Sequence, residues 1–319
     1  MMDAAEQEIT AAPLLVLVGP TAIGKTGLSL DMAARFNCEI VSMDSMQVYR
    51  YMDIGTAKPD RGERSAVVHH LIDIIDPDEQ YNAARFIADG LAAIAGITAA
   101  GRVPLLTGGT GLYLKALTQG LFEEPDSAEH SLVRRELRNR MRQQGREALF
   151  QELRRLDPDT AGRIHPNDTQ RLLRALEVHR LTGRPWSENI RRRQEPPVRL
   201  ANMFLIGLTC DRRELYERIE RRTGRMMELG LVEEVEMLRE MGYDPLLPSM
   251  QAIGYRHVNN FLDGRWTREE AVRLLVRDTR RYAKRQMTWF TRMESIRWYH
   301  RDRHDKILQD TERWLHSRV

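Results

Sequence analysis

The sequence predicts an α/β protein: a P-loop-type parallel sheet flanked by helices, with an all-helical insertion domain. Three observations lead to this prediction. Apolar β-branched runs alternate with helical patterns in the first 120 residues, which favours a doubly wound sheet with right-handed crossovers. A glycine-rich phosphate-binding motif stands between the first run and the first helix. From about Leu121 to Trp186, strand patterns give way to Arg-rich amphipathic helices.

The first 120 residues contain three strand patterns. "APLLVLVGPT" predicts a strand that leads through the phosphate motif into a helix running to Phe36, and "CEIVSMDS" predicts a strand ending at Asp44. "NAARFIADGLAAIAGITAAG" predicts a helix ended by Gly101. "GRVPLLTGGTGLYLKAL" predicts a third strand, a Gly-Gly turn and a helix from near Thr110. Ligands of such sheets bind outside the carboxyl ends of the strands, where these motifs stand.

The later elements are mostly helical. Asp168 or Thr169 caps a predicted helix that runs to His179, and Gly183 ends it. "NMFLIGLTC" restores a buried-strand pattern, and helices are expected over 211–241, 249–262 and 267–291. The predicted domains are a flexible tail at 1–12, an α/β core at 13–120 and 195–300, a helical insertion at 121–194 and a C-terminal extension at 301–319.

Composition excludes several protein classes. The 319 residues are 42% hydrophobic and 30% charged, as in an ordinary globular protein, and contain no apolar run long enough to span a membrane. The N-terminal "MMDAAEQEITAAP" lacks the basic start and apolar stretch of a secretory signal. Cys38 and Cys210 are far apart, so neither a disulfide framework nor a zinc site is indicated. We expect a cytoplasmic protein.

The charge is unevenly distributed along the chain. Residues 1–130 contain 9 basic and 18 acidic residues, whereas 131–193 contain 16 arginines, no lysine and 8 acidic residues. This arrangement suggests one part for small-molecule chemistry and another that faces a polyanion. On charge alone, ion pairs on solvated helices are the favoured explanation of the arginines.

The segment Gly19–Thr26, "GPTAIGKT", fits the pattern G-x-x-x-x-G-K-[ST]. In this motif the backbone N–H groups surround phosphate, Lys25 neutralises its charge and the Thr26 hydroxyl faces Mg²⁺. The flanking strand and helix make the motif specific. It indicates phosphate binding, but it does not by itself indicate a nucleotide.

Asp44 has two candidate functions: a contact to Mg²⁺ through its outer shell, or a base that takes a proton from a nucleophile. A purely structural alternative is the N-cap of a helix over "SMQVYRYM". Ser45, Gln47 and Tyr49 follow closely, and Gln47 carries the paired donor and acceptor that suit a base edge.

Two further segments indicate ligand binding. "TGGTGLY" places Thr110 and backbone N–H groups at the start of a helix, although a glycine turn that only serves packing explains it equally well. Between Arg273 and Arg292 there are seven basic residues and one acid, interleaved with Tyr282, Trp289 and Phe290. Basic and aromatic side chains together hold RNA loops, while a core helix with solvated arginines is the alternative. The adjacent His69 and His70 favour a structural role over metal binding.

With these motifs assembled, the chain resembles the tRNA dimethylallyltransferase (tRNA isopentenyltransferase) family. The matching segments run from residue 19 to about 292 in the family's order: "GPTAIGKT", "DSMQVYRYMDIGTAKP", "HHLIDIIDP", "GGTGLY", "RIHPNDTQRLLRALEV", "QAIGYRH" and "AKRQMTWFTR". Ile23 departs from the smaller residue often found there. The chain shows no zinc-finger pattern near its C-terminus, so the resemblance is to the bacterial type.

The resemblance implies transfer of a dimethylallyl group from dimethylallyl diphosphate to N6 of adenine 37, beside the anticodon of tRNA, with Mg²⁺ as cofactor. It implies Asp44 and Thr110 as catalytic residues, Thr26 as the Mg²⁺ ligand, and no consumption of ATP. A monomer is expected. The implied diphosphate-binding residues are Gly19, Pro20, Thr21, Ala22, Ile23, Gly24, Lys25, Thr26 and Arg222. The implied tRNA-binding residues are Asp44, Ser45, Met46, Gln47, Thr110, Arg134, Gln170, Arg171, Leu172, Leu173, Arg174, Gln251, Ala252, Ile253, Gly254, Tyr255, Arg256, Lys284, Arg285, Gln286, Thr288, Trp289 and Arg292.

Three alternatives stay open at this point. A small-molecule or nucleotide kinase would use the same loop for ATP, but it leaves the basic insertion unexplained. An adenylate isopentenyltransferase would use the same donor with a free nucleotide as acceptor. A non-catalytic RNA-binding NTPase switch would show nucleotide-dependent RNA affinity and form no covalent product.

Overall fold

The computed structural model describes residues 12–120, 127–191, 196 and 198–317. Two compact units are present, one formed by Met1–Thr118 with Val198–Val319 and the other by Gln119–Pro197. The second unit therefore begins and ends within three residues of the insertion boundaries expected at 121 and 194. The expected tail at 1–12 lies, except for Ala12, outside the described residues.

A six-stranded parallel sheet forms the centre of the first unit, which confirms the predicted fold class. The strand order is β3-β2-β4-β1-β5-β6. The strands are β1 (Leu14–Val18), β2 (Cys38–Met43), β3 (His69–His70), β4 (Val103–Gly108), β5 (Met203–Thr209) and β6 (Arg297–His300). Since β1 pairs with both β4 and β5, the phosphate motif follows a strand at the middle of the sheet.

The helices surround this sheet and form the second unit. They are α1 (Lys25–Phe36), α2 (Arg61–Ala66), α3 (Ala83–Ala99), α4 (Gly111–Gln119), α5 (Ser127–Leu156), α6 (Pro158–Arg163), α7 (Thr169–Thr182), α8 (Trp186–Arg191), α9 (Arg212–Glu228), α10 (Leu231–Glu240), α11 (Tyr255–Leu262), α12 (Arg268–Phe290) and α13 (His304–His316). Among the described residues, no helix is both long and apolar enough to cross a bilayer.

Both faces of the sheet are covered, which explains why β1 is a continuous apolar run rather than an alternating one. Leu14, Val16 and Val18 pack into the core on one side, while Leu15 and Leu17 pack into the core on the other side. All five side chains are at most 2% exposed. The residue that follows this strand is therefore held in a fixed position at the carboxyl edge.

Several helices differ from the sequence prediction in their ends. The helix expected over 211–241 is interrupted at Gly230, which adopts φ 96° and separates α9 from α10. The helix expected over 249–262 begins only at Tyr255, after turns that end at Gly254 with φ 102°. Glycine adopts such positive φ angles without steric penalty, so each of these residues interrupts a pattern that looks continuous by hydrophobicity.

The chain beyond residue 300 belongs to the core. Arg301 donates its backbone N–H to Thr209 O, and Ile307 and Leu308 of α13 are buried beside α1 and β5. β6, which the sequence analysis did not identify, pairs with β5 over four residues. The region expected as a separate extension therefore completes one face of the sheet.

The second unit is helical throughout its described part. Asp168 caps α7 by accepting a hydrogen bond from Arg171 N–H, and Gly183 ends it in the left-handed conformation, as predicted. The long helix α5 is broken at Gly145 (φ 80°, ψ 161°). The apolar core of the second unit contains Leu137, Leu149, Leu153 and other apolar side chains.

A third apolar core packs against the loop that follows β2. A buried carboxylate holds this loop in place through hydrogen bonds. Glu234 of α10 is 8% exposed and accepts hydrogen bonds from the N–H groups of Asp53, Ile54 and Gly55 at 3.0, 2.6 and 3.1 Å. The Tyr255 hydroxyl donates to the same carboxylate at 2.6 Å. One side chain thus fixes three successive peptide groups.

Replacing Glu234→Ala removes four hydrogen bonds at once, and we expect a loss of about 3 kcal/mol in the free energy of unfolding. Glu236→Ala is the control, because Glu236 is exposed on the same helix, and it should change stability by less than about 0.5 kcal/mol. Urea unfolding of both variants measures the difference. Equal stability of the two variants would show that the loop is held by other contacts.

Candidate active site

Three strand ends converge on one cavity of about 1070 Å³. Val18 and Met43 both stand opposite Gly108 in register, so the segments that follow β1, β2 and β4 start at the same level. Residues of the phosphate loop, Asp44 and Gly109 line the cavity. The ligand-binding edge is where the sequence predicts it.

Within the phosphate loop, Lys25 folds back over its own segment. Its Nζ donates to the carbonyl oxygens of Gly19 and Pro20 at 2.9 and 3.0 Å. Gly24 is in the left-handed conformation and begins α1 without a side-chain cap. The N-terminus of α1 therefore carries free positive partial charge, which is how such loops attract anions.

Side chains from the second half of the chain form hydrogen bonds with backbone groups of the loop. Arg218 of α9 donates to Ala22 O at 2.7 Å, and Arg301 donates to Ile23 O at 3.2 Å. The backbone N–H of Thr21 donates to Gln286 Oε1 at 2.8 Å. Backbone groups of three consecutive loop residues thus have side-chain partners more than 190 positions away in sequence.

The electrostatics of the cavity floor favour an anion. Burial and, to a smaller extent, the nearby Arg222 lower the pKa of Lys25 to about 8, although Asp44 acts in the opposite direction. Burial also lowers the pKa of the Arg222 guanidinium, again opposed by Asp44. Arg222 donates to the Thr21 hydroxyl at 3.2 Å, so it lies beside the loop as the resemblance implies. Two cations face one carboxylate, and a bound diphosphate would stabilise both.

Asp44 is half-buried and accepts a hydrogen bond from Met46 N–H at 2.8 Å. The residues after it form turns, so the predicted alternative of a helix N-cap is wrong: the Asp44 side chain closes a turn instead. The Thr110 hydroxyl accepts from Ser45 N–H at 3.2 Å, which brings Thr110 beside the Asp44 segment.

Tyr282 of α12 completes this wall of the cavity. Burial raises its pKa well above the usual value, Asp44 raises it further, and hydrogen bonds with Gln286 and Thr110 act in the opposite direction. The phenol therefore stays neutral beside the carboxylate. Tyr282 lines the cavity together with Thr279, one turn earlier on the same helix.

Gln47 also lines the cavity, but both ends of its amide already have partners. Its Oε1 accepts from the Ser42 hydroxyl at 2.9 Å, and its Nε2 donates to Ala57 O at 3.3 Å. A base edge would have to replace one of these contacts.

The segment 251–256 divides into surface and interior. Gln251 is exposed, whereas Tyr255 is fully buried against Gly55 and bonded to Glu234. Arg256 forms an ion pair with Asp278 at 2.7 Å. Ala252 and Ile253 are half-buried and line the cavity, and Gly254 begins α11. Tyr255 thus supports the cavity wall from behind.

α12 presents two faces. Lys284, Arg285 and Thr288 are exposed, and Arg292 is exposed just beyond its end. Gln286 is 6% exposed and points inward. Trp289 is half-buried against Gly111, where any Cβ would overlap its ring. The exposed face is therefore cationic, and the inward face supports the cavity.

In the second unit, the predicted residues also have different surroundings. Gln170 and Arg171 are exposed at the start of α7, but Leu172 is fully buried and Leu173 packs against the same core. Arg134 and Arg174 both pair with Glu177, at 3.1 and 3.4 Å. The carboxylate of Glu177 is 2% exposed, so these two arginines balance a buried charge.

Thr26 is exposed and lines the cavity, and the Asp44 carboxylate lines it too. Hydroxyl and carboxylate oxygens are the donors that Mg²⁺ prefers, and phosphate sites commonly supply only one or two of them from protein. The residues present therefore fit a Mg²⁺ ion held at Thr26. His70 pairs with Glu39 at 2.6 Å, and the His69 ring contacts Val67 O at 2.8 Å although His69 also lines the cavity.

Sequence reasoning missed several residues of this site. Arg218 stands one helical turn before Arg222, and this i,i+4 spacing was a usable signal. Tyr282 was predicted only as an aromatic residue of an RNA-binding helix; it stands four residues before Gln286, and it lines the cavity. Glu234 and Arg301 gave no signal, because their partners are backbone groups of distant segments.

Comparisons with known proteins agree with this geometry. A family model described as IPP transferase matches residues 47–293, and one described as isopentenyl transferase matches residues 12–71. A tRNA dimethylallyltransferase of Desulfotalea psychrophila is 52% identical over 96% of this chain and 97% of its own length. One of Thermotoga maritima is 46% identical over 90% of this chain and 92% of its own length.

Solved structures give the same result. The full-length tRNA isopentenylpyrophosphate transferase of Bacillus halodurans matches with a TM-score of 0.70 and 40% identity, covering 96% of this chain and 97% of that one. A eukaryotic dimethylallyltransferase acting on tRNA matches with a TM-score of 0.73 and 27% identity over 91% of this chain and 74% of that one. With a phosphate loop and a carboxylate facing one cavity, and relatives this similar along nearly the whole length, the chain belongs to the IPP transferase family.

Proposed function

We propose that this chain transfers the dimethylallyl group of dimethylallyl diphosphate to N6 of adenine 37 in tRNA and releases diphosphate. Its relatives are named for dimethylallyl transfer to tRNA. The observation that carries the proposal is the meeting of the phosphate loop, two cations and Asp44 in one cavity. The cavity thus offers cations for an anionic leaving group and a carboxylate that can accept a proton.

The phosphate loop serves the leaving group. When the C–O bond of the donor breaks, its electron pair passes to diphosphate, and negative charge grows on the phosphate oxygens. Lys25, Arg222 and the N-terminus of α1 are placed to stabilise that charge. Lys25 Nζ has three N–H donors, so it can keep its contacts with Gly19 and Pro20 and direct the third toward the charged acceptor.

A bound Mg²⁺ ion, held at Thr26, would add further positive charge against the diphosphate oxygens. The residues of this chain then orient the donor by its phosphates. Arg222 reaches the loop from α9, so a diphosphate held there would have a second cationic contact besides Lys25.

Asp44 serves the acceptor. The amine N6 of adenine is a weak nucleophile, because its lone pair is delocalised into the ring. As N6 forms a bond to the donor's C1, it loses a proton, and the Asp44 carboxylate accepts it. The hydrogen bond from Met46 N–H fixes one carboxylate oxygen and leaves the other for this step.

The adenine must leave its stack to enter the cavity, which costs a few kcal/mol and less in a loop than in a duplex. An anticodon loop is a suitable substrate for that reason. The exposed cations of α12 and the exposed Gln170 and Arg171 of the second unit are the proposed contacts to its backbone. A monomer that acts in the cytoplasm, where tRNA is present, completes the proposal.

The decisive experiment uses two donors and one acceptor. The protein is incubated with unmodified tRNA and either carbon-labelled dimethylallyl diphosphate or γ-labelled ATP. Label from the isoprenoid should appear in the tRNA as N6-isopentenyladenosine, identified by nucleoside mass analysis. Phosphate release from ATP without labelled tRNA would favour a kinase, and labelling of free AMP would favour an adenylate isopentenyltransferase.

Asp44→Asn keeps the oxygen that accepts from Met46 N–H but removes the proton acceptor. We expect kcat to fall by about 10²–10⁴-fold while the dissociation constant for tRNA stays within about twofold. Single-turnover kinetics and filter binding measure the two quantities. Normal turnover at saturating tRNA would exclude Asp44 as the base.

The pKa of Lys25 makes donor binding dependent on pH. In the free protein this pKa is about 8, and a bound diphosphate raises it, so binding above pH 8 requires uptake of a proton. Affinity for a non-reactive alkyl diphosphate should be constant below pH 8 and fall by up to about tenfold per pH unit above it. Calorimetry at pH 7, 8 and 9 measures this profile. Lys25→Met should bind weakly with a flat profile, and a flat profile in the unmodified protein would contradict the assignment.

Arg171 and Arg134 should behave differently on truncation. Arg171 is exposed, so Arg171→Ala should weaken tRNA binding and reduce the slope of log affinity against log salt by about 1. Arg134→Ala instead leaves the buried Glu177 with one cation fewer, so it should lower thermal stability. An unchanged salt slope in Arg171→Ala would show that Arg171 makes no phosphate contact.

A further inference from the structure

We propose that Gln286 is a positioning residue of the phosphate loop rather than an RNA contact: its amide fixes one peptide group of the loop and thereby places Lys25 for the diphosphate. This inference rests on the proposed function, since it concerns the same donor site. It assigns Gln286 to the donor side of the reaction although its neighbours on α12 face outward.

The contacts of Gln286 join two separate segments of the site. Its Oε1 accepts from Thr21 N–H at 2.8 Å, and its Nε2 donates to Gly109 O at 3.1 Å. The first partner belongs to the phosphate loop after β1, and the second belongs to the Gly-Gly turn after β4. One buried side chain therefore sets the distance between two strand-end loops.

The orientation of this amide follows from the chemistry of its partners. A backbone N–H can only donate and a backbone carbonyl can only accept, so the oxygen must face Thr21 and the nitrogen must face Gly109. Glutamate would lack the donor for Gly109, and an aliphatic side chain would lack both groups. Glycine at position 109 leaves room for this amide, because a Cβ there would overlap Gln286 Nε2 and displace it.

A single peptide group transmits the effect to Lys25. The Thr21 N–H and the Pro20 carbonyl are the two polar ends of one peptide unit, which is planar and trans. Gln286 holds the N–H end, and Lys25 Nζ donates to the carbonyl end at 3.0 Å. If the N–H end is released, the peptide can rotate and the ammonium group loses a fixed partner.

The burial pattern of α12 separates the residues that support the donor site from the residues that can contact RNA. Ala283, Gln286 and Phe290 are buried on one face, while Lys284, Arg285 and Thr288 are exposed on the other. At 6% exposure, with both amide ends bonded within the protein, Gln286 faces the interior and not the cationic surface. The spacing of the helix assigns Lys284, Arg285 and Thr288 to the exposed face instead.

The test compares Gln286→Met with Lys284→Met, two substitutions of similar shape on opposite faces of α12. We expect Gln286→Met to weaken binding of a non-reactive dimethylallyl diphosphate analogue about tenfold with tRNA affinity within about twofold of the unmodified protein. Lys284→Met should show the reverse pattern. Calorimetry with the analogue and filter binding with tRNA measure the two affinities.

The kinetic constants add a readout that general loss of structure would not produce. Because the Gln286 amide acts on the phosphate loop, Gln286→Met should raise KM for dimethylallyl diphosphate about tenfold and leave KM for tRNA within about twofold. Gly109→Ala displaces the same amide from the other side and should reproduce both effects. It also replaces Gln286→Met in the test if that variant does not fold.

The outcomes are distinguishable. Loss of tRNA affinity with normal donor affinity in Gln286→Met, equal affinities in variant and unmodified protein, or a parallel loss of both affinities would each overturn the inference. If the unmodified protein fails to bind the isoprenoid analogue at all, the proposed function itself is wrong.

Discussion

A loop that binds phosphate through backbone N–H groups works only if its peptide groups keep one orientation. Few of its side chains contact the phosphate, so a rotated peptide group would not be replaced by another donor. In this protein that constraint is met from outside the loop. Arg218, Gln286 and Arg301 each bond a different backbone group between Thr21 and Ile23. The motif at residues 19–26 is therefore half of the phosphate site, and the helices and strand near the C-terminus supply the other half.

A few backbone contacts also hold the opposite wall of the cavity in place. Glu234 organises residues 53–55 through their backbone, and Tyr255 packs into the space that Gly55 leaves. Both walls are thus rigid, yet the charges between them are unbalanced: Lys25 and Arg222 lie partly desolvated near a single carboxylate. An empty site of this kind is electrostatically unfavourable, and an incoming anion relieves it. Preorganised charge of this sort contributes to catalysis because little rearrangement is needed when the leaving group forms.

The sequence was sufficient to predict the sheet, the phosphate loop and the position of Asp44, since these depend on local patterns and on the rule that places ligands at strand ends. It did not predict the break between α9 and α10, because Gly230 divides a helix whose hydrophobic periodicity continues through it. It also could not separate the two faces of α12, because Lys284 and Gln286 are both polar in the sequence and differ only in what they face. The pairing of Arg134 and Arg174 with Glu177 could not be predicted either, because composition does not show that this glutamate is buried.

The position of β1 has a consequence for how the chain becomes active during synthesis. β1 emerges first, but its neighbour β5 lies nearly 190 residues later, and the partner of β5 follows after almost a hundred more. The helical unit between them is complete before that closure, because its residues are contiguous and its contacts are local. A ribosome must therefore release almost the entire polypeptide before the phosphate loop acquires its outer supports, and shorter nascent chains carry the glycine-rich motif without its binding geometry.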